Sequence, residues 1–552
     1  PMKNRIAIVG MSFRFPGTNT EQYWPNLLGG KDLVTTVESS RWAQETYLHP
    51  GKQQPGTSYT FAAGSIGDVS MFDADFFGIS PREAAQMDPQ QRLLLEMSWE
   101  ALESGGIRPS SLRGSKSGVF IGISSADYAY RFADDLGAID SKVATGNTAS
   151  IAANRISYVF DLKGPSMALD TACSSSLVAF HQACQSIRSG ESSLAIAGGV
   201  SLHLHPYGFI AFSKASMLSR RGKCNVFDAA GDGYVRSEGG GIFVLKDYDQ
   251  AMADGDHILA VVAASAINSD GKKAGLTVPS SDAQADLLRT IYADAGIGAD
   301  EVDYIEAHGT GTAVGDPIET RALAEALGSH RSREHPLLIG SVKSNLGHLE
   351  AASGIAGLVK AVHCVQHRVV PGTIGVSTLN PSIPFEEWNL QVARTTTPLK
   401  AAGRLIVGVN SFGFGGANAH VVLESLVAKV TRLEAARPKV RPESTVPLVI
   451  SGKTAAALRG AARGMAACLR EHPETSVYDI AYSASHGRDW HRHRAVVRGN
   501  AHKPLALALE KFAESADQAH GVESGSVLET PVGVAFVYSG NGSQWEGMGR
   551  RL

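Results

Sequence analysis

The sequence predicts an α/β protein built as two halves of similar size, followed by a smaller α/β module. Short apolar runs that end in glycine or a polar turn alternate with helical stretches from residue 6 to residue 424. That is the pattern of buried strands in a mostly parallel sheet covered by helices on both faces. The alternation restarts after Asp247, and 552 residues exceed one ordinary core. Glycine supplies 59 residues, more than its usual share, as many tight strand-to-helix turns require.

Taken in order, residues 6–10 read as a strand feeding a turn, residues 20–28 as a helix and residues 31–67 as a polar surface excursion. Residues 82–103 give two helices split at Pro89. A strand at 118–122, a helix at 149–159 and a strand at 193–200 complete the first half. The second half has strands at 258–266, 302–306, 337–341 and 405–410, with helices at 283–295, 318–327 and 350–367. Residues 426–445 turn to Lys, Arg, Glu and Pro and read as a linker. A strand at 446–450, a helix at 454–470 and a strand at 494–498 form the small module. Residues 532–538 open a third unit. The chain starts on Pro1 and is expected to be a piece of something longer.

Composition narrows the function. An apolar content of 43% with 19% charged residues suits a globular enzyme, and a net charge of -3 argues against nucleic-acid binding. The five cysteines, at 173, 184, 224, 364 and 468, form no CxxC pair, so a reduced cytoplasmic setting is expected, with no metal site. No apolar run is long enough for a membrane span.

The chemistry centres on Asp170-Thr171-Ala172-Cys173-Ser174-Ser175-Ser176. It puts a thiol in a small-residue turn directly before a helical apolar face, where the helix dipole favours the reactive thiolate. Two of the 18 histidines stand in similar places: His308 runs into Gly309-Thr310-Gly311-Thr312, and His348 ends Lys343-Ser344-Asn345-Leu346-Gly347 just before a helix. A nucleophile with two imidazoles suits acyl transfer or carbon–carbon bond formation on a thioester. The Gly309 to Thr312 loop lacks the GK[ST] ending of a phosphate loop, and His491-Arg492-His493-Arg494 reads as an exposed polar loop.

These motifs, with Asn410-Ser411-Phe412-Gly413-Phe414-Gly415-Gly416-Ala417-Asn418-Ala419-His420, closely resemble the β-ketoacyl synthase domain of type I polyketide synthases. The resemblance covers residues 1–425, with an N-terminal half of about 1–250 and a C-terminal half of about 251–425. Residues 426–530 look like the linker domain between ketosynthase and acyltransferase, and 531–552 like the truncated start of the acyltransferase, with Asn541 where that family usually has Gln. Ser12-Phe13 and Gly240 are further small departures, and the Phe412 to Gly416 variant leans toward an iterative or fatty-acid-like synthase.

The resemblance implies a thiolase-type αβαβα sandwich, a homodimer, and work with acyl and malonyl thioesters, an acyl carrier protein and downstream domains of the same synthase. No cofactor would bind directly; the phosphopantetheine arm of the carrier would enter the site. Cys173 would take the acyl chain, while His308 and His348 would assist decarboxylation of a malonyl thioester. Lys343 would orient the His348 region. The N–H groups of Cys173 and Phe414 would form the oxyanion hole, with the Phe414 ring as a gate. Thr310, Thr312 and Asn345 would bind the arm. Cys173 and His348 argue against the decarboxylase-only and non-elongating variants of the family. A fatty acid synthase ketosynthase and a non-catalytic docking scaffold are the alternatives.

Overall fold

The computed structural model describes residues 5–426, 445–515 and 521–528, with isolated positions between 533 and 548. The linker expected at 426–445 and the third unit expected from 532 fall largely outside the described residues. The chain divides into two compact units, Pro1–Arg437 and Pro438–Leu552.

The first unit is organised by one 11-stranded sheet. Strands β1 (Ile6–Arg14), β2 (Ser117–Gly122), β3 (Ser166–Leu169), β4 (Leu194–Ser201) and β5 (Gly239–Asp247) come from the first half. The second half supplies β6 (Ala260–Ser269), β7 (Tyr304–Glu306), β8 (Leu337–Gly340), β9 (Leu390–Val392), β10 (Ile406–Phe412) and β11 (Ala417–Glu424). Outward from the centre the first half runs β1-β5-β4-β2-β3 and the second β6-β11-β10-β7-β8, with β9 added at the edge. Directions match too: the first two steps outward are antiparallel and the next two parallel in both halves. The halves join where Ile6, Ala7 and Ile8 pair antiparallel with Val262, Val261 and Ala260. Two related halves are thus written in the topology.

The sheet is mixed rather than mostly parallel. Helices cover both faces, so antiparallel strands such as β5, with Ile242, Phe243, Val244 and Leu245 all at 0% exposure, carry the same unbroken apolar run as parallel ones. Direction leaves no mark on such a run.

Helices α1 (Pro89–Ser104) and α2 (Ala149–Phe160) pack on the outer face of the first half, while α4 (Ser281–Ala295) and α5 (Gly315–Ala326) stand outside the second. Between the halves lie α3 (Ser175–Arg188) and α6 (Ser353–His367). The first packs on β2 and β4 of its own half and on β6 and β11 of the other, and the second on β7 and β10 and also on β5. The result is the αβαβα stacking expected. A central helix must be apolar all round, and α6 is buried at every position from Ser353 to Val362. Its Ile355, Leu358 and Val362, at 0% exposure, each stabilise the stack by about 1.5–3 kcal/mol. The one charge on that buried run, Lys360, is paired: its Nζ lies 2.7 Å from Glu306 Oε2 and donates to Tyr304 Oη at 2.9 Å.

The second unit holds an antiparallel sheet of β12 (Val446–Gly452), β13 (His493–Gly499) and β14 (Val522–Ser526), with β13 in the middle. Helices α7 (Ala455–Glu471), α8 (Val477–His486) and α9 (His502–Glu514) pack around a core that includes Leu448, Leu469, Leu509 and Phe512. β13 bears out the strand expected at 494–498 and begins one residue earlier, at His493, so the polar run expected as a loop enters the sheet at its end. No helix among the described residues is long and apolar enough to cross a membrane.

Candidate active site

Cys173 sits in a single 3-10 turn, Ala172–Ser174, that leads into α3. The turn is strained: Ala172 has φ +56, a left-handed conformation that non-glycine residues seldom hold. Hydroxyls hold it there. Ser175 Oγ accepts from Thr171 N–H and donates to the Ala172 carbonyl, Ser174 Oγ donates to the Thr171 carbonyl, and Asp170 Oδ1 accepts the Ala172 N–H at 2.9 Å. Ser353 at the start of α6 and Ser411 on β10 both donate to the Cys173 carbonyl at 2.9 Å. The second half therefore grips the Cys173 backbone from behind, while the hydroxyls of the first hold its turn. Gly413 permits the approach, since a Cβ there would lie 2.4 Å from the Thr171 carbonyl oxygen.

The sulfur faces a cavity of about 340 Å³ lined by Cys173, His308, Thr310, Thr312, His348 and Phe414 among others. His308 follows β7. Its backbone and those of the next three residues are cradled by two buried carboxylates on α5: Glu319 accepts the N–H groups of His308 and Gly309, and Asp316 those of Thr310 and Gly311. Burial pushes Asp316 up to about 7 and raises Glu319 as well. These carboxylates escaped the sequence reading, although their spacing of three on one helical face was a usable signal.

The two imidazole rings meet edge to face, with centroids 5.6 Å apart. His348 Nδ1 accepts the Glu350 N–H at 2.9 Å, and His308 Nδ1 accepts the Phe412 N–H at a long 3.4 Å. With Nδ1 an acceptor, a neutral ring carries its proton on Nε2. Burial, and next the charge of Lys343, hold both rings well below their usual range, so both are neutral donors. Lys343 itself is buried, which lowers its pKa, while Glu306, Glu319 and Cys173 pull the other way.

Cys173 departs from expectation. Burial first, and the Glu350 carboxylate second, push its thiol up to about 12, outweighing Lys343 and the N–H groups of Phe414 and Cys173 that face the sulfur. The helix terminus does not make a resting thiolate. Alkylation of Cys173 by iodoacetamide, followed on its peptide by mass spectrometry, should therefore rise about tenfold per pH unit between about pH 7 and 10. A plateau below about pH 9 would show a thiolate instead.

Phe414 is 42% exposed in the loop between β10 and β11, and its ring meets Phe212 edge-on at 5.9 Å. Thr310 and Thr312 place their hydroxyls 3.2 Å apart on the cavity wall. Asn345 is not brought to the site. Its Nδ2 donates to the Lys31 carbonyl at 2.9 Å, which ties the N-terminal segment down, and it is not among the residues lining the cavity where the arm is expected. Ligand atoms of Cys173, His348 and Glu350 lie within 4.8 Å of one another. In that trio the Glu350 carboxylate already pairs with Arg236 and His348 Nδ1 with a backbone N–H.

Comparison with known proteins places this geometry. The model for the N-terminal domain of β-ketoacyl synthases matches residues 3–251, that for the C-terminal domain residues 259–377, and that for the ketoacyl-synthetase C-terminal extension residues 380–497. The chain belongs to the β-ketoacyl synthase family, a class of condensing transferases. It is 36% identical to the ketosynthase from module 6 of the bacillaene synthase of Bacillus subtilis 168, with a TM-score of 0.84 over 95% of this chain and 87% of that one. The oxazolomycin ketosynthase domain OzmH KS7 of Streptomyces albus JA3453 gives 34% and 0.88 over 95% and 90%. A phenolphthiocerol/phthiocerol polyketide synthase of Mycobacterium tuberculosis (strain CDC 1551 / Oshkosh) is 45% identical over 99% of this chain, which spans 29% of that relative's length. Within the family, then, the chain is a ketosynthase of the type I polyketide synthase kind with a thiolase-type fold.

Proposed function

We propose that this chain performs decarboxylative Claisen condensation in polyketide assembly, with Cys173, His308 and His348 as its catalytic residues. The Cys173 sulfur attacks the thioester carbonyl of an acyl chain on the phosphopantetheine arm of a carrier protein. The new C–S bond replaces the old one, and the thiol proton leaves with the carrier's sulfur. A malonyl thioester then loses carbon dioxide, and its enolate carbon attacks the Cys173 thioester carbonyl. The Cys173 sulfur departs and regains a proton. The N–H groups of Cys173 and Phe414 accommodate the oxyanion of each tetrahedral intermediate, and the Phe414 ring gates the cavity.

The carrying observation is that both Nδ1 atoms accept backbone N–H groups, so two neutral Nε2–H donors stand at the wall that holds the sulfur. Neutral donors suit an enolate, which they stabilise without titrating away. Thr310 and Thr312 line the same cavity and suit the amides of the arm. The two domain matches over residues 3–251 and 259–377 support reading residues 1–425 as ketosynthase, and the extension match over 380–497 supports a linker domain at 426–530; we read 531–552 as the opening of an acyltransferase. We read the working unit as a cytoplasmic homodimer that meets its carrier and downstream domains within one synthase; its free cysteines fit that compartment.

Replacing either histidine with alanine tests the assignment. Release of carbon dioxide from a malonyl thioester should fall by about 10²-fold or more, while acylation of Cys173 changes far less. Equal loss of both half-reactions would instead make a histidine the base that activates Cys173.

A further inference from the structure

The turn carrying Cys173 has a counterpart in the second half. There a 3-10 turn, Glu350–Ala352, leads into α6 as Ala172–Ser174 leads into α3. Glu350 has φ +51 where Ala172 has φ +56. The Glu350 N–H reaches back to the side chain two residues earlier, His348 Nδ1, as the Ala172 N–H reaches Asp170 Oδ1, both at 2.9 Å. What holds the two turns differs. The first has Thr171, Ser174 and Ser175; at the equivalent places the second has Leu349 and Ala352, with no side-chain hydrogen bond to offer, and Ser353, whose hydroxyl is spent on the Cys173 carbonyl.

An ion pair stands where those hydroxyls are missing. Arg236 Nε donates to Glu350 Oε1 at 2.8 Å, with both side chains at 10% exposure or less. Arg236 is a fixed post: its guanidinium lies 5.0 Å from the Phe209 ring centroid and 5.3 Å from that of Phe212, over Gly208, where a Cβ would sit 1.9 Å from Nη1. Its neighbours in sequence grip His348 directly, Ser237 N–H donating to the His348 carbonyl and His348 N–H to the Val235 carbonyl, each at 2.8 Å. Phe212 in turn meets the Phe414 ring.

We propose that Arg236 and Glu350 are positioning residues for the malonyl half-reaction. Their pair holds the left-handed turn whose N–H fixes the His348 tautomer and so keeps the Nε2 proton toward the cavity. This rests on the role given to His348 above. Neither side chain reacts; the pair acts through a backbone N–H.

The two half-reactions separate this role from a general structural one. In Glu350→Ala and Arg236→Met, release of carbon dioxide from malonyl-pantetheine should fall by about 10-fold or more, as misalignment of a catalytic group does. Acylation of Cys173 from an acyl-pantetheine thioester, read by intact mass, should stay within about threefold in Arg236→Met and hold or rise in Glu350→Ala, where a carboxylate that disfavours the thiolate is gone, because the Cys173 turn keeps its own hydroxyls and the Ser353 and Ser411 bonds to its carbonyl. Glu350→Gln keeps an acceptor for Arg236 and should recover most of the loss, and Glu350→Gly, free to adopt φ +51 unaided, should recover part of it. Both half-reactions falling together with the melting temperature would overturn the proposal, as would unchanged decarboxylation in Glu350→Ala or no recovery in Glu350→Gln. If His348→Ala itself leaves decarboxylation intact, the underlying role of His348 is what fails.

Discussion

Cys173→Ala should abolish covalent acylation and condensation while leaving the protein folded. The thiol is 8% exposed and its side chain supports no hydrogen-bonded scaffold of its own; the turn is held by the Cys173 carbonyl and neighbouring hydroxyls, which alanine retains. Losing one sulfur atom from such a site costs about 1 kcal/mol. Mass spectrometry of the intact protein after exposure to an acyl-pantetheine thioester should show no added mass, beside a melting temperature near that of the parent. Acyl label retained on the variant would place the nucleophile elsewhere.

The largest loss of stability should come from Lys360→Met. The ammonium is 1% exposed on the central helix and is the countercharge to Glu306, whose Oε1 also accepts the Val342 N–H at 2.5 Å. Removing Lys360 leaves the buried Glu306 carboxylate without that countercharge, with the Tyr304 hydroxyl and the Val342 N–H still donating to it, a change that costs about 3–5 kcal/mol. Adding Glu306→Gln to Lys360→Met should return part of that cost, because the residual group is then neutral. Urea midpoints of the two single variants and the double variant check this. A Lys360→Met protein as stable as the parent would show that water reaches the site. Activity should suffer with stability, since Glu306 lies two residues before His308 and Val342 one before Lys343.

The features legible in the sequence were those whose signal is local. Cys173, His308, His348, Thr310, Thr312 and Phe414 each stand in a small-residue loop at the end of an element, and the structure gathers all of them around one cavity. Asn345 sits inside the same stretch as His348, yet its amide turns to Lys31, because adjacency in sequence says nothing of the direction in which a side chain leaves a short helix. Pairings across long separations were invisible: Arg236 with Glu350, and Ser353 and Ser411 with Cys173. The thiolate expected at a helix terminus failed for a different reason. A dipole contributes at most about 2 kcal/mol, and burial beside a carboxylate outweighs it at Cys173.

The matching strand orders and matching strained turns amount to one design executed twice about an approximate dyad. In the first copy the second residue of the turn is Cys173; in the second copy that position is Ala351. Conversely, the residue that receives the turn's N–H is Asp170 in one copy and His348 in the other. Equivalent turns stand in both halves, one bearing the thiol and the other preceded by the imidazole. On the proposed reaction, its asymmetry, one partner attacked and one activated, is laid over a scaffold that is itself nearly symmetric, with Cys173 in one half and both histidines in the other.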